Sequence, residues 1–366
     1  MNSSLPPHDQ LPIGSLAGLF AKTSASYKFF WFLAILEWVE EEPEQTILFR
    51  DLFAQMLAKV WYPVHYFKLS FGKQDKLSEK AKELHEYDPE LFPIDLAPEK
   101  LTGRLLAHPD KAVERLLFHF QTQVPYRLLT AWLGTDHTNP QIARLSQDYT
   151  GNCLYRLNLD GEKSITINPA WQVYLWNHKA ILQDYTYWNL LLYLQDRNPN
   201  VPDIAHKLVK PQERQSLARH RSLWNLFLVE QGGIPCLYTG RPLQKGAYDL
   251  DHFIPWSFLP NNQMWNLIPG DSSVNSSKSN HLPDLDFYLP ALAKQQQEAL
   301  RFFLEKSPNS GLLEDYLQLA PELTELVALS PDDFTRRYRE TLGPMVQIAT
   351  NMGFRAGWRW EKVTGF

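Results

Sequence analysis

The chain of 366 residues carries 36 basic and 41 acidic side chains, a formal charge of −5 at pH 7, and 44% hydrophobic residues. That length suggests two or three domains at about 150 residues each. The only cysteines, Cys153 and Cys236, exclude a disulfide framework and a zinc ribbon with two CxxC pairs. They favour a reduced, cytoplasmic protein. The acidic balance by itself argues against a nucleic-acid partner.

No targeting or membrane-spanning segment is predicted. The first ten residues are polar and rich in proline, without a basic stretch before an apolar one. The most apolar run, residues 29–39, contains Glu37 and is shorter than the roughly 20 residues that cross a bilayer. It predicts a buried core helix, and no membrane partner is expected.

The first part of the chain predicts a mainly helical N-terminal domain over residues 1–198. Residues 24–38 are apolar on nearly every face, which is typical of a central helix. Residues 47–62 repeat apolar side chains at helical spacing. Two short alternating runs on either side of Asp160-Gly161 predict a small hairpin near 153–167. The domain ends at a break rich in Asn and Pro.

Three further divisions are predicted after this break. They are a helical connector over 199–233, a unit of different composition over 234–284, and a C-terminal helical region over 285–366. The middle unit has few helix-forming residues and many Asn, Ser and Pro. The predicted fold class is therefore α+β, a mostly α-helical protein with one small embedded unit.

The embedded unit contains a cluster of metal-binding and proton-transfer side chains. Residues 236–240 end in a turn, and residues 248–252 are predicted to return from it as the second strand of a small hairpin. This second strand ends on Asp251-His252. A later run of Ser and Asn, which includes Asn275, predicts a short helix.

Three phrases occur in order in this unit. The first is D-x-D-H-h-x-P-x-S-F at residues 249–258, the second is Asn266 before apolar residues, and the third is N-x-x-K-S-x-x-x-P at 275–283. The three together resemble the HNH, or ββα-metal, endonuclease family. They are most similar to the HNH domains of the RNA-guided DNA-cutting effectors of CRISPR systems. The resemblance covers only the embedded unit.

The resemblance implies a ββα-metal unit that cuts DNA with a divalent cation, Mg²⁺ or Mn²⁺. It assigns His252 as the general base, Asp251 and Asn275 as the metal ligands, and Asn266 as the residue that fixes the loop and the imidazole. The chemistry of these residue types agrees, because an imidazole of pKa about 6.5 can deprotonate water near neutral pH. A hard cation also prefers one or two protein oxygens. Lys278, one helical turn after Asn275, could contact a phosphate oxygen and is a third candidate catalytic residue.

Alternatives stay open for the ligands and for the lysine. Asp249 could bind the metal in place of Asp251, and His281 could do so in place of Asn275. Lys278 could instead be an ordinary solvated lysine. No structural zinc is expected, because Cys236 has no second cysteine within the unit.

Basic residues just before the embedded unit are candidate nucleic-acid contacts. Arg214, Arg219 and Arg221 could bind phosphates together with Lys278, although a solvated basic face explains the three arginines equally well. Residues 201–281 hold eight basic and six acidic side chains, so the negative charge lies in the flanking regions. The composition thus allows a local, weakly basic site on an acidic protein.

The leading hypothesis is a metal-dependent DNA endonuclease, for which the resemblance implies a role in prokaryotic restriction or anti-phage defence. Two alternatives remain: an RNA-cleaving, toxin-like HNH nuclease and a non-catalytic nucleic-acid-binding or assembly protein. The helical region or a partner is expected to control the activity, because an unregulated nuclease would harm its host. A regulatory partner protein or an oligomer is the partner considered besides DNA.

Overall fold

The computed structural model describes residues 5–40, 45–209 and 215–361, without the side chain of Asn275. These residues form two compact units. The first unit ends at Pro199 and includes residues 204–209, and the second comprises Asn200–Asp203 and residues 215–361. The division lies next to the boundary predicted at residue 198.

The first unit is mainly helical and contains one three-stranded antiparallel sheet in the order β1-β3-β2. No helix in the described ranges is both long and apolar enough to cross a membrane. The elements are α1 (Ile13–Ala17), α2 (Tyr27–Trp38), β1 (Thr46–Leu48), α3 (Phe49–His65), α4 (Lys76–Tyr87), α5 (Pro98–Ala107), α6 (Lys111–Leu117), α7 (Val124–Leu133), α8 (Asn139–Gln147), β2 (Tyr155–Asn158), β3 (Ser164–Ile167), α9 (Pro169–Asn177) and α10 (Lys179–Arg197).

Helix α2 is the centre of this unit, as its apolar sequence predicts. Residues 29–36 are at most 1% exposed, and the helix packs against α3, α7 and α10. Trp31 Nε1 donates a hydrogen bond to the Tyr155 hydroxyl at 3.0 Å, which connects α2 to the sheet. A helix buried on all sides needs no polar face, and this explains its nearly uniform composition.

The sheet has one strand more than the sequence predicts. Strands β2 and β3 occupy the place of the predicted hairpin, but residues 47–48, predicted as helix, belong to β1. Ile47 pairs with Ile165, and the Thr46 and Thr166 hydroxyls lie 2.9 Å apart. Pairing with the edge of the hairpin thus makes residues 47–48 a strand, although the spacing of their apolar side chains predicts a helix.

The second unit combines five α-helices in its described residues with two small antiparallel sheets, β4–β5 and β6–β7. The protein is therefore α+β and mostly helical, as predicted. The elements are α11 (Ala218–Glu230), β4 (Ile234–Pro235), β5 (Pro242–Leu243), β6 (Asp249–His252), β7 (Leu267–Gly270), α12 (Ser272–Lys278), α13 (Leu285–Lys306), α14 (Leu323–Ala328) and α15 (Pro331–Asn351).

One hydrophobic core joins the divisions that the sequence suggests after residue 199. Trp224 of α11 contacts Phe303 of α13 edge-to-face, with ring centroids 5.6 Å apart, and both belong to the same buried cluster as Trp265 and Phe354. The predicted connector helix is thus part of the second unit. Residues 285–361 provide a large share of the core around the embedded strands.

The pairing of the strand that ends on Asp251-His252 differs from the prediction. Strand β6 pairs with β7, with Asp251 opposite Ile268 and His252 opposite Leu267, and not with residues 236–240. Residues 236–240 form a turn, in which Gly240 N donates to Cys236 O at 2.9 Å. All four residues of β7 are buried, so this apolar run is the better partner for a strand at the centre of the unit.

Buried polar side chains of the C-terminal helices hold the backbone before and within β7. Gln296 of α13 is 0% exposed and donates through Nε2 to the Leu267 carbonyl at 2.8 Å. The Tyr316 hydroxyl donates to Gln296 Oε1 at 2.6 Å, and the Tyr338 hydroxyl donates to the Trp265 carbonyl at 3.2 Å. A buried polar group without a partner costs about 1–3 kcal/mol, so these bonds fix the position of the strand.

Candidate active site

Strand β6 places Asp251 and His252 on opposite faces, because successive side chains alternate along a strand. Asp251 faces inward and is 7% exposed, whereas His252 is only partly buried. The sequence phrase thus produces one buried carboxylate and one accessible imidazole on adjacent residues.

Asp251 is held by two buried side chains from other elements. Lys278 Nζ, from the last turn of α12, lies 3.0 Å from both Oδ1 and Oδ2 of Asp251. The Tyr238 hydroxyl donates to Asp251 Oδ2 at 2.6 Å. Lys278 also donates to the His252 carbonyl at 2.6 Å, so one ammonium group connects α12 to both residues of the strand end.

The tyrosine remains a donor at neutral pH. Burial, and then the neighbouring Asp251 carboxylate, raise the pKa of Tyr238 well above its usual value. The ring is packed edge-on against Tyr288 and Trp358, with centroids 5.3 and 5.4 Å away. The aromatic cluster therefore sets the position of the hydroxyl and, through it, of the carboxylate.

Lys278 is 1% exposed, so it is not the solvated lysine of the alternative reading. Its ammonium contacts Asp251 and a backbone carbonyl, and a contact with a phosphate oxygen stays a prediction. A buried lysine requires a paired anion, and Asp251 is that anion. The sequence places Lys278 one helical turn after Asn275, and this spacing does not indicate the ion pair with Asp251.

His252 has a partner that sequence reasoning missed. Its Nε2 lies 3.0 Å from Oδ1 of Asn262, in the loop between β6 and β7. The amide group of Asn262 donates through Nδ2 to the Gln215 carbonyl at 3.4 Å, which turns the amide oxygen toward the imidazole. An amide oxygen only accepts, so Nε2 carries the proton and Nδ1 is the basic nitrogen of the ring.

Groups outside the loop determine where Asn262 lies. Met264 N donates to Asp315 Oδ2 at 2.8 Å, and burial raises the pKa of that carboxyl. His220 of α11 is 8% exposed beside the loop, and burial lowers its pKa. No motif marks Asn262; the Asn-Asn pair at 261–262 was the only available signal in the sequence.

Asn266 holds the backbone that follows the strand end. Its Oδ1 accepts from Ile254 N at 2.8 Å and its Nδ2 donates to Ile254 O at 3.0 Å. Phe253 N donates to the Asn266 carbonyl at 2.8 Å. The side chain is 1% exposed, so these bonds are made away from water. These hydrogen bonds fix the turn that follows His252.

The remaining ligand candidates are only partly described. Asn275 lies within α12, and its side chain is outside the described residues. His281 Nδ1 lies 2.8 Å from the Lys278 carbonyl and must donate to it, which leaves Nε2 as the nitrogen with metal-binding chemistry. Asp249 lies on the same face of β6 as Asp251, two residues earlier.

The predicted phosphate-binding arginines have different surroundings. Arg214 lies outside the described residues, and Arg219 is exposed on α11. Arg221 is half-buried: Nη1 donates to the Tyr248 carbonyl at 2.8 Å, and the guanidinium lies over the Tyr248 ring, 5.0 Å from its centroid. Arg221 thus supports the start of β6.

Within the described residues there is no group of three or more His, Cys, Asp and Glu side chains that could hold a metal ion. Cys236 is 2% exposed, and its sulfur accepts from Asp271 N at 3.4 Å.

Comparison with protein families identifies the same segment. Residues 236–284 match the family model described as HNH endonuclease. This segment is similar to HNH endonucleases. The match covers β5 to α12 and all three sequence phrases, and it supports nuclease activity on nucleic acid. The narrower likeness to CRISPR effectors stays a prediction. No curated protein and no solved structure matches the chain.

Replacing Lys278 by Met should lower the free energy of unfolding of the second unit by about 3–5 kcal/mol, because it leaves the Asp251 carboxylate buried without its cation. Calorimetric unfolding measures the change. Adding Asp251→Asn to Lys278→Met should recover part of the loss.

The matched control is Arg241→Met. This residue forms an exposed ion pair with Asp271 in the same unit, with the arginine side chain 64% exposed. Such pairs contribute about 1 kcal/mol or less. A loss from Lys278→Met no larger than that from Arg241→Met would contradict the role given to the buried pair.

Proposed function

We propose that the second unit is a divalent-metal-dependent HNH endonuclease that hydrolyses phosphodiester bonds in DNA. The observation that carries the proposal is the end of β6: an accessible His252 next to a buried Asp251, which is paired with Lys278 of α12, inside the segment that matches the HNH family. Phosphodiester hydrolysis needs an activated water and a charge sink close together, and this strand end supplies the candidate groups.

The donor set fits a divalent cation. A carboxylate offers about four acceptor positions; Lys278 contacts both oxygens of Asp251 and Tyr238 contacts Oδ2, which leaves about one position for a cation. Asp251 and Asn275 would hold the metal, with water and the phosphate as its other ligands. Bound there, Mg²⁺ or Mn²⁺ would supply Lewis-acid stabilisation of the developing negative charge.

His252 acts in this proposal as the general base. The contact with Asn262 places the proton on Nε2, so Nδ1 takes the proton from the attacking water. Asn266 does not touch the reacting groups in this scheme; it holds the backbone after the imidazole through Ile254. Lys278 and Tyr238 are positioning residues that keep the Asp251 carboxylate in one orientation.

The charge distribution supports a polyanionic substrate. The segment 201–281 has two more basic than acidic residues, whereas the rest of the chain is acidic. Arg219 and Lys245 are exposed in the same unit and are available to phosphates. DNA as the substrate and a role in restriction or anti-phage defence rest on the sequence resemblance.

Purified full-length protein should convert supercoiled plasmid DNA to nicked and linear forms with Mg²⁺ or Mn²⁺ and should be inactive in EDTA. His252→Ala should lower the cleavage rate about 10²–10⁴-fold, which is the usual contribution of a general base. Gel electrophoresis over time gives the rates, and single-stranded RNA is assayed in parallel.

Two further variants sharpen this assay. Asn275→Ala should abolish cutting, while His281→Ala in the same segment should keep the rate within about threefold. The reverse result would make His281 the second ligand.

Cutting that survives both EDTA and His252→Ala would contradict the mechanism. Cutting of RNA only would change the proposed substrate, and no cutting of DNA or RNA would favour a non-catalytic role.

Asn262→Ala should lower kcat by about tenfold or more with little change in KM, because the imidazole loses the acceptor that fixes its tautomer. Asn262→Asp keeps an acceptor oxygen and should retain more activity than the alanine variant. Asn261→Ala is the matched control, since Oδ1 of Asn261 accepts no hydrogen bond from any residue that the structure describes. Equal losses in Asn261→Ala and Asn262→Ala would show that the loop alone, and not the contact to His252, matters.

A further inference from the structure

The first unit contains a cavity of about 380 Å³ next to the start of α2 and along α7. Small-molecule sites commonly have volumes of about 300–1,000 Å³. Three cationic side chains line it, Lys22, Lys28 and Arg127, together with the hydroxyl groups of several Thr, Ser and Tyr residues. No acidic side chain is among the described residues that line it.

Among the residues that the structure describes, no ion pair neutralises the cations in this cavity. Lys28 is half-buried, and burial and then the nearby Arg127 guanidinium lower its pKa. The described hydrogen bond of Arg127 is to a neutral group, from Nε to Gln123 Oε1 at 3.3 Å. Two like charges held close together and partly out of water destabilise the fold unless an anion joins them.

Two acidic residues beside lining residues of the cavity, Asp75 and Asp136, have other partners. Asp75 raises the pKa of Tyr27 and so lies near one wall, but its carboxylate is 4% exposed and accepts from the backbone N of Ser26, Leu77 and Ser78 at 2.7, 3.0 and 3.1 Å. Asp136 is exposed and next to Thr135 in sequence, where it accepts from the Thr135 hydroxyl at 3.4 Å.

We propose that this cavity binds the phosphate group of a nucleotide. Three cations exceed the single charge of a carboxylate ligand, whereas a phosphate monoester carries about −1.5 to −2 charges at pH 7 and three acceptor oxygens. Arg and Lys are the side chains that bind phosphate best, and hydroxyl donors such as that of Thr130 satisfy the remaining oxygens. A free nucleotide supplies this monoester; a strand supplies phosphodiesters of one negative charge and two acceptor oxygens each, so two neighbouring phosphates of a strand would match the same cations. This site is independent of the proposed nuclease activity.

Titration calorimetry of the full-length protein in EDTA tests the proposal with three probes: inorganic phosphate, AMP, and a single-stranded oligodeoxynucleotide without terminal phosphate. At least one probe should bind, and both Lys28→Gln and Arg127→Gln should weaken its binding at least tenfold. Lys100→Gln, which removes an exposed lysine of the same unit away from the cavity, should change it less than twofold.

The probes separate the two sources of phosphate. Binding of AMP that depends on Lys28 and Arg127 identifies a free nucleotide, and equally dependent binding of the oligonucleotide alone identifies a strand. The proposal is overturned if neither AMP nor the oligonucleotide binds, or if the one that binds has the same affinity for wild type, Lys28→Gln and Arg127→Gln. Lys28→Gln and Arg127→Gln leave the His252 site unchanged. If the phosphate proposal fails, the proposed nuclease activity is therefore not affected.

A stability measurement distinguishes a ligand site from a structural role of Lys28. Without ligand, Lys28→Gln should unfold at the same or a higher temperature than wild type, because the substitution removes a desolvated like charge near Arg127. A lower unfolding temperature combined with unchanged probe binding would overturn the proposal.

Discussion

The buried ion pair between Asp251 and Lys278 is the interaction on which the candidate active site depends. It joins the end of β6 to the last turn of α12, and the same ammonium holds the His252 carbonyl. Separating the pair would leave a buried charge, so the strand and the helix are constrained to one relative position. That constraint places the imidazole, the carboxylate and the helix that carries Asn275 close together in space.

The surrounding helices stabilise this small unit. Gln296 and Tyr338 donate to the carbonyl groups of Leu267 and Trp265, and Tyr316 donates to the side chain of Gln296. The aromatic rings around Tyr238 fix the second donor to Asp251. Two-stranded pairs are only marginally stable alone. The extensive helical core of residues 215–361 therefore has a structural purpose: it holds two short strands and a loop in the arrangement that the chemistry requires.

The sequence predicted the parts of the fold that depend on local pattern. The uniformly apolar stretch around Trp31 predicted the central helix, and alternation on either side of Asp160-Gly161 predicted the place of a hairpin. The sequence did not predict features that depend on distant segments, such as the pairing of β6 with β7 in place of residues 236–240. The site shows the same limit: the motif indicates His252 and Asp251, but the Lys278 ion pair and the Asn262 contact depend on tertiary packing that spacing does not contain.

The most direct test of the account is calorimetric titration of Mn²⁺ into the full-length protein and two variants of strand β6. Asp249 and Asp251 lie on the same face two residues apart, so Asp249→Asn is a matched control for Asp251→Asn. The account predicts one bound Mn²⁺ per chain, at least tenfold weaker binding in Asp251→Asn, and unchanged binding in Asp249→Asn. Wild-type affinity in Asp251→Asn, or loss of binding only in Asp249→Asn, would contradict it.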